Sequence, residues 1–296
     1  MTSKAHGYFF ALAATTIFSF QDAVSKHLGD HYSPIFITMI RYWAFGAFCI
    51  LLAARRPGGL RAAASTSRPV LQILRGVLLA TEIMAVITAF AHAGLAHSIA
   101  VLSATPLLVT LLSIPLLGEQ VGWRRWSAII AGLLGVLLIL KPDAGGFLDP
   151  WLLLPVFCCF LYAVYLIATR LVSRTDSSAT SFFYIGVAGA VTTSLVGPFF
   201  WTHLDGWDNA WMALLCVTGM TGHYLVIRAY ELLDASAVQP ISYLSLVYAS
   251  LFGVLLYGET LTWNIVAGSI IVVGAGIFTF WREYALRQQD IRQTAR

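Results

Sequence analysis

Ionisable side chains lie inside apolar stretches of this sequence, well away from its polar breaks. They are Asp22, Arg41, Glu82 and His223. Carboxylates can hold a substrate ammonium group, so Asp22 or Glu82 is a candidate for that role, while Arg41 could hold a substrate carboxylate. Glu82 or His223 is the candidate proton carrier. The alternative is a structural pair between Arg41 and one of the two acids, which would tie helices together.

Tyrosines extend this candidate binding site. The candidates among those in later apolar stretches are Tyr162, Tyr165, Tyr224 and Tyr243. A phenol in an apolar layer needs a hydrogen-bond partner, and its ring can stack on a flat or apolar group. We predict that these tyrosines contact the substrate. The competing interpretation is that they only pack helices together.

Ten apolar stretches must position these residues. Their approximate bounds are 7–26, 34–54, 69–92, 95–117, 122–140, 151–170, 179–201, 208–230, 236–257 and 261–281. A helix of about 20 apolar residues crosses the hydrocarbon core of a bilayer. The sequence therefore predicts an all-α integral membrane protein with ten transmembrane helices. Pro106 and Pro115 interrupt the fourth stretch and Pro240 opens the ninth, so backbone groups are freed there.

The basic residues set the orientation of these crossings. With the N-terminus in the cytoplasm, the outer side holds only Lys26 and Lys141, and Arg41 and Arg75 lie within the stretches. The rest of the 18 Lys and Arg residues fall on the cytoplasmic side. Cytoplasmic loops carry an excess of Lys and Arg. Both termini are therefore predicted to be cytoplasmic.

A repeat divides the chain. The segment LLSIPLLGEQVGW at 111–123 returns as LFGVLLYGETLTW at 251–263. A period this long indicates a duplicated half. Five crossings per half is an odd number, so the halves have opposite orientation, as in transporters with a substrate site between two repeats. We predict one repeat over 1–145, an inverted repeat over 146–284 and a short cytoplasmic tail over 285–296.

The same segments carry a family resemblance. Residues 89–119 and 229–259, which end in Gly118-Glu119 and Gly258-Glu259, resemble the two helical signatures of the EamA family in the drug/metabolite transporter superfamily. Arg41 matches an Arg that this family often has in its second helix, whereas Leu246 replaces a Pro that it often has. The resemblance implies ten helices in two inverted repeats and carriage of small metabolites. Within the family, the chain is similar to bacterial aromatic amino acid exporters.

Three smaller features give expectations of their own. Lys26 follows Asp22 at the i,i+4 spacing that suits a local ion pair. Glu119 and Glu259 could control access to the substrate site, but we interpret them as solvated or capping residues at helix ends. The small residues of 122–140 and the Gly-rich stretch 261–281 indicate close helix packing or a homodimer face.

Composition narrows the function classes. Hydrophobic residues make up 58% of the 296 residues and charged residues only 11%, whereas a soluble domain has roughly 25% charged residues. The four cysteines all lie in apolar stretches, and no motif of a metal site, cofactor site or enzyme appears. No basic cluster suits nucleic acid. We predict a non-enzymatic protein of the bacterial inner membrane without metal or cofactor.

The leading functional hypothesis is export of amino acids, aromatic or neutral, by alternating access through a central cavity. Two other cargoes stay open. Asp22 and Glu82 could balance a cationic metabolite such as S-adenosylmethionine, whereas a phosphorylated metabolite would need more than Arg41 and Arg75. From another class, the protein could be a membrane scaffold that transports nothing.

Overall fold

The computed structural model describes residues 3–118, 122–141, 149–233, 238 and 241–294, and these residues form helices without any β-strand. In chain order the helices are α1 (Ser3–His31), α2 (Pro34–Ala54), α3 (Gly59–Ala63), α4 (Pro69–Ala93), α5 (Leu95–Leu102), α6 (Thr105–Leu117), α7 (Trp123–Leu140), α8 (Pro150–Val172), α9 (Ser178–Val196), α10 (Asp208–Leu232), α11 (Leu244–Tyr257) and α12 (Trp263–Thr294). A 3-10 turn at Gly197–Phe200 extends α9. The all-helical prediction is confirmed for this part of the chain.

Proline and glycine set many of the boundaries. Pro34, Pro69 and Pro150 open α2, α4 and α8, where the missing N–H is not needed. Gly118 and Gly258 end α6 and α11 in the left-handed conformation, at φ 70° and 63°. The repeated Gly-Glu motif thus has the same backbone role in both halves.

The fourth predicted stretch is a broken helix. The chain leaves α5 at Leu102 and enters α6 at Thr105, with Pro106 in the first turn of α6. Pro106 cannot donate a backbone hydrogen bond to the preceding turn, so the two helices are separate. Discontinuous helices of this kind commonly border the binding sites of transporters.

Seven helical segments of the described chain are long and apolar enough to cross a membrane. They are α2, α4, α5 with α6, α7, α8, α9 with its 3-10 turn, and the first part of α12, and α11 is a shorter apolar helix. Large apolar side chains such as Leu195, Leu255 and Ile270 are mostly exposed, as a hydrocarbon-facing surface requires.

The most extensive helix contacts join the two halves of the chain. Helix α1 packs on α10, α2 on α9, α4 on α8 and α9, and α7 on α12. The last pair is so close that the carbonyl oxygen of Gly135 lies 2.6 Å from where a β-carbon on Gly268 would be. These Gly-rich helices therefore pack against each other within one chain.

Candidate functional site

A small cavity lies between α2, α4 and α10. It is lined by Arg41, Tyr42, Phe45, Leu79, Ile83, Cys216, Gly219, Met220 and His223. The volume open to the centre of a water molecule is about 20 Å³, which is enough for water but not for a metabolite. The cavity is therefore too narrow to hold a metabolite in this conformation.

Arg41 links the charged residues of the site. Its guanidinium interacts electrostatically with Asp22 from α1 and Glu82 from α4, and Asp22 and Glu82 also interact with each other. Among the described residues, however, no ion pair within 4.0 Å and no side-chain hydrogen bond joins Arg41 to either acid. The structure therefore brings these three predicted residues together without the tight pairing that a purely structural role favours.

His223 lies on α10 at the same cavity as Arg41, with which it interacts electrostatically. Three phenylalanine rings surround its imidazole. Their centroids lie 5.2 Å away for Phe18 and Phe45, and 6.2 Å away for Phe182. Arg41 interacts electrostatically with both Glu82 and His223. The surrounding phenylalanine rings cannot carry a proton, so the His223 imidazole can exchange one only with groups in the cavity or with the substrate.

Tyr162 and Tyr165 stack on each other along α8, with centroids 5.7 Å apart and ring planes at 15°. Both pack against the apolar cluster that includes Tyr42 and Phe45, so they lie just behind the cavity wall. The Arg75 guanidinium lies 5.5 Å from the Tyr165 ring centroid. Arg75 also donates to Thr169 Oγ1 at 2.9 Å and to Gln72 Oε1 at 2.6 Å. Arg75 therefore has a structural role, in which its guanidinium is bound to Thr169 and Gln72.

The two remaining predicted tyrosines lie apart from this group. Tyr224 is 54% exposed, because the residue after His223 turns about 100° away around the helix. Tyr243 packs on α12, where a β-carbon on Gly276 would lie 1.8 Å from its hydroxyl oxygen. Neither tyrosine lines the cavity beside Arg41.

Sequence reasoning missed two polar groups at this site. Tyr42 lines the cavity, and its buried hydroxyl has no hydrogen-bond partner in the described part of the chain. Gln21 Oε1 is equally buried and unpartnered, and it lies 3.2 Å from where a β-carbon on Gly219 would be. Each residue is the immediate neighbour of a predicted one, Arg41 or Asp22, and that adjacency is the signal that could have found them.

The expected ion pair between Asp22 and Lys26 is not formed. Lys26 Nζ instead contacts Asp30 Oδ2 at 3.4 Å and Glu259 Oε1 at 3.9 Å, and it donates to the Phe90 carbonyl at 3.0 Å. The ammonium turns toward the helix end, where several partners are available. Asp22 therefore has no ion pair with Lys26 and can interact with Arg41 at the cavity.

Glu259 caps a helix of the other half. Its carboxylate accepts hydrogen bonds from the backbone N–H groups of Leu95 at 2.7 Å and Ala96 at 2.9 Å, at the start of α5. A carboxylate is stabilised at a helix N-terminus by the free N–H groups and the helix dipole. The interpretation of Glu259 as a capping residue is consistent with these bonds, although it caps α5 rather than its own helix. Glu119 lies outside the described residues.

A polar cluster joins the halves at the opposite end of the bundle. Asp176, between α8 and α9, accepts hydrogen bonds from Thr66, from Ser67 and from Gln72 Nε2, the last at 2.7 Å. Partial burial raises the pKa of Asp176, but these hydrogen bonds outweigh it and hold the pKa below its ordinary value.

The described chain has no group of three or more His, Cys, Asp or Glu side chains that could hold a metal ion.

Comparisons with known proteins connect this geometry to transport. The sequence profile described as the EamA-like transporter family matches residues 5–141 and again residues 149–281. An S-adenosylmethionine uptake transporter of Rickettsia prowazekii is 26% identical over 90% of this chain and 89% of its own. A riboflavin transporter of Vibrio cholerae is 27% identical over 98% and 99%, and the pseudopaline exporter CntI of Pseudomonas aeruginosa is 25% identical over 92% and 94%. One crystal structure aligns with a TM-score of 0.62 at 20% identity over 93% of this chain and 97% of that one, which shows a common fold.

Proposed function

Because the chain belongs to the EamA-like transporter family, we propose that it is a secondary carrier of a metabolite bearing an α-amino-acid group. One observation carries the proposal. Arg41 and His223 share one small cavity, with Asp22 and Glu82 in electrostatic range of Arg41 and no tight ion pair among them. Two acids and one guanidinium can hold the ammonium and carboxylate groups of an amino acid.

The proposed mechanism is alternating access between two inverted repeats, 1–145 and 146–284, in a ten-helix bundle with both termini in the cytoplasm. The proposed location is the bacterial inner membrane. Two features support this plan: the paired Gly118 and Gly258 helix ends, and the polar clusters that join the halves at either end of the bundle. Since the cavity is too small for a metabolite, loading requires one cluster to open while the other stays closed.

The first candidate cargo is a neutral or aromatic amino acid that is exported. The three phenylalanine rings around His223 offer an apolar surface for a side chain. When Asp22 and Glu82 are both ionised, they and Arg41 together give the empty site one net negative charge. A zwitterion does not change that sum, so a proton on Glu82 or His223 must accompany the cargo to make the loaded site neutral.

The second candidate cargo is S-adenosylmethionine, and the excess of acids over bases favours it. Its sulfonium gives the molecule one net positive charge, so it balances Asp22, Glu82 and Arg41 without a proton. The relative of Rickettsia prowazekii that takes up this compound resembles the chain over most of its length. A phosphorylated cargo has less support, because Arg75 is engaged with Gln72 and Thr169 and Arg41 is the guanidinium at the cavity.

Flux into proteoliposomes tests the proposal. We expect the purified protein to move labelled phenylalanine, threonine or S-adenosylmethionine, and Arg41→Gln to reduce that flux strongly. An imposed pH gradient should change the rate for a zwitterion and leave S-adenosylmethionine nearly unaffected. Asp205→Asn, an acid-to-amide change at an exposed residue, is the control. Absence of flux for every amino acid and for S-adenosylmethionine would favour a non-transporting scaffold.

A further inference from the structure

Two buried polar atoms beside the cavity have no assigned role. They are the hydroxyl oxygen of Tyr42 and the amide oxygen Oε1 of Gln21, on residues that are each only 3% exposed. Neither atom has a hydrogen-bond partner among the described residues. Burying an unpaired polar atom costs free energy, so such atoms are rare unless something binds them.

The neighbouring residues place both atoms beside the cavity. Tyr42 is part of the cavity wall, next to Arg41 in sequence. Its ring lies against Gly189 of α9, where an added β-carbon would be 2.0 Å from a ring carbon. Because Gly189 has no side chain, the Tyr42 ring can occupy this place beside the cavity.

Gln21 reaches the site beside Gly219. A β-carbon on Gly219 would lie 3.2 Å from Gln21 Oε1 and 3.7 Å from Arg41 Nε. The amide oxygen and the guanidinium therefore flank the same glycine of the cavity wall. An amide oxygen only accepts hydrogen bonds, whereas a phenol donates or accepts one.

From this arrangement we propose that Gln21 and Tyr42 are specificity-determining residues that bind an uncharged N–H or O–H group on the side chain of the substrate. The inference rests on the proposed function, since Asp22, Arg41 and Glu82 would already hold the charged amino-acid group. It narrows the cargo to amino-acid derivatives with a polar donor beyond the α-carbon. A site built for such a donor discriminates against an analogue that lacks it.

Two pairs of labelled probes isolate this contact. Tyrosine and phenylalanine differ by one hydroxyl, and S-adenosylmethionine and S-methylmethionine differ by the adenosine group. The wild-type protein should prefer the donor-bearing member of whichever pair it carries. Tyr42→Phe and Gln21→Leu should each reduce that preference, measured as a ratio of kcat/KM, by about tenfold, the effect of losing one good hydrogen bond.

Ser25→Ala is the matched control, because Ser25 Oγ on α1 is also buried and unpartnered among the described residues. Unlike Tyr42 it does not line the cavity, and unlike Gln21 it does not lie within 4 Å of an added β-carbon on Gly219. In the ligand-free protein all three substitutions should keep or raise the melting temperature, since each removes an unpaired buried atom. Only Tyr42→Phe and Gln21→Leu should change the preference.

Two results would count against the inference. Normal flux with an unchanged preference in both variants would overturn it and leave the proposed function intact. An equal loss of preference in Ser25→Ala would show that the effect is not specific to the cavity. By contrast, a wild-type protein that moves none of the four probes and no other amino acid contradicts the proposed function itself.

Discussion

Arg41 is the residue on which the candidate site depends. It contacts the cavity directly and interacts electrostatically with Asp22, Glu82 and His223, which come from three different helices. A guanidinium stays charged at all physiological pH values. The residues around it are therefore the ones whose protonation can change during transport.

Glu82 is the stronger candidate for carrying a proton, because it is 7% exposed and belongs to the charged group around Arg41. If it takes up a proton with a zwitterionic cargo, Glu82→Gln should make the flux nearly independent of pH. Initial rates in proteoliposomes between pH 5.5 and 8 check this. His223→Ala is the companion variant, and unchanged pH profiles in both would assign these residues to structure.

At the scale of helices, close packing depends on particular glycines. Gly268 on α12 faces α7, where an added β-carbon would lie 2.5 Å from Ile139 Cγ1 and 2.6 Å from the backbone oxygen of Gly135. A backbone oxygen inside a helix cannot move aside easily. Asn264 also donates to the Ile139 carbonyl at 3.1 Å, which fixes the register of the two helices.

Gly268→Ala should therefore destabilise the protein by about 1–3 kcal/mol, the usual cost of overpacking. Gly274→Ala on the same helix is the control, since nothing lies within 4 Å of its added β-carbon. Helix propensity alone should make that control neutral or more stable by up to ~1 kcal/mol. Thermal unfolding in detergent measures both, and equal melting temperatures would contradict the packing argument.

The hydrogen bonds accepted by Asp176, in the loop between α8 and α9, give a second prediction at the scale of helices. Its pKa is lower in the folded protein than in the unfolded chain, so its stabilisation is present above the unfolded pKa and disappears as pH falls through the folded value. Asp176→Asn should lower the melting temperature by a few degrees at pH 7. The difference from wild type should shrink below about pH 4. A difference that is the same at both pH values would count against this assignment.

Across the whole molecule, two polar clusters join the halves of the chain at opposite ends of the helix bundle. One contains Lys26 and Glu259 at the start of α5, and the other contains Asp176, Gln72 and Thr66. In the proposed alternating-access mechanism, rocking of one half against the other would break the contacts of one cluster at a time. The energetic balance between the clusters therefore sets which side the cavity opens to.

Cys216 can report this opening, because it lines the cavity whereas Cys49, Cys158 and Cys159 are buried. Glu259→Gln removes the charge that caps α5 and contacts Lys26, so the outer side should open more often. A membrane-impermeant maleimide added to intact cells should then label Cys216 several-fold faster. Cys216→Ser sets the background and Asp205→Asn is the matched substitution. An unchanged labelling rate in Glu259→Gln would show that this cluster does not hold the cavity closed.

The sequence by itself determined the class of this protein. Its apolar stretches, the repeat that ends in Gly118 and Gly258 and the resemblance of residues 89–119 predicted an all-helical membrane protein of the EamA family, and these are confirmed. Local interactions are sufficient for these predictions, because hydropathy, helix-ending glycines and helix-opening prolines act within a few residues. Charge cost in the bilayer likewise singled out Arg41 and His223, which the structure brings to one cavity.

Only the tertiary structure decided which partner each polar group takes. Lys26 turns from Asp22 toward Glu259, and Glu259 caps a helix 164 residues away in sequence. Gln21 and Tyr42 adjoin Asp22 and Arg41 in sequence, but only folding buries them beside Gly219 and Gly189 without a partner among the described residues. Hydrogen bonds and burial depend on distances between remote segments, so side-chain type and local spacing could not reveal them.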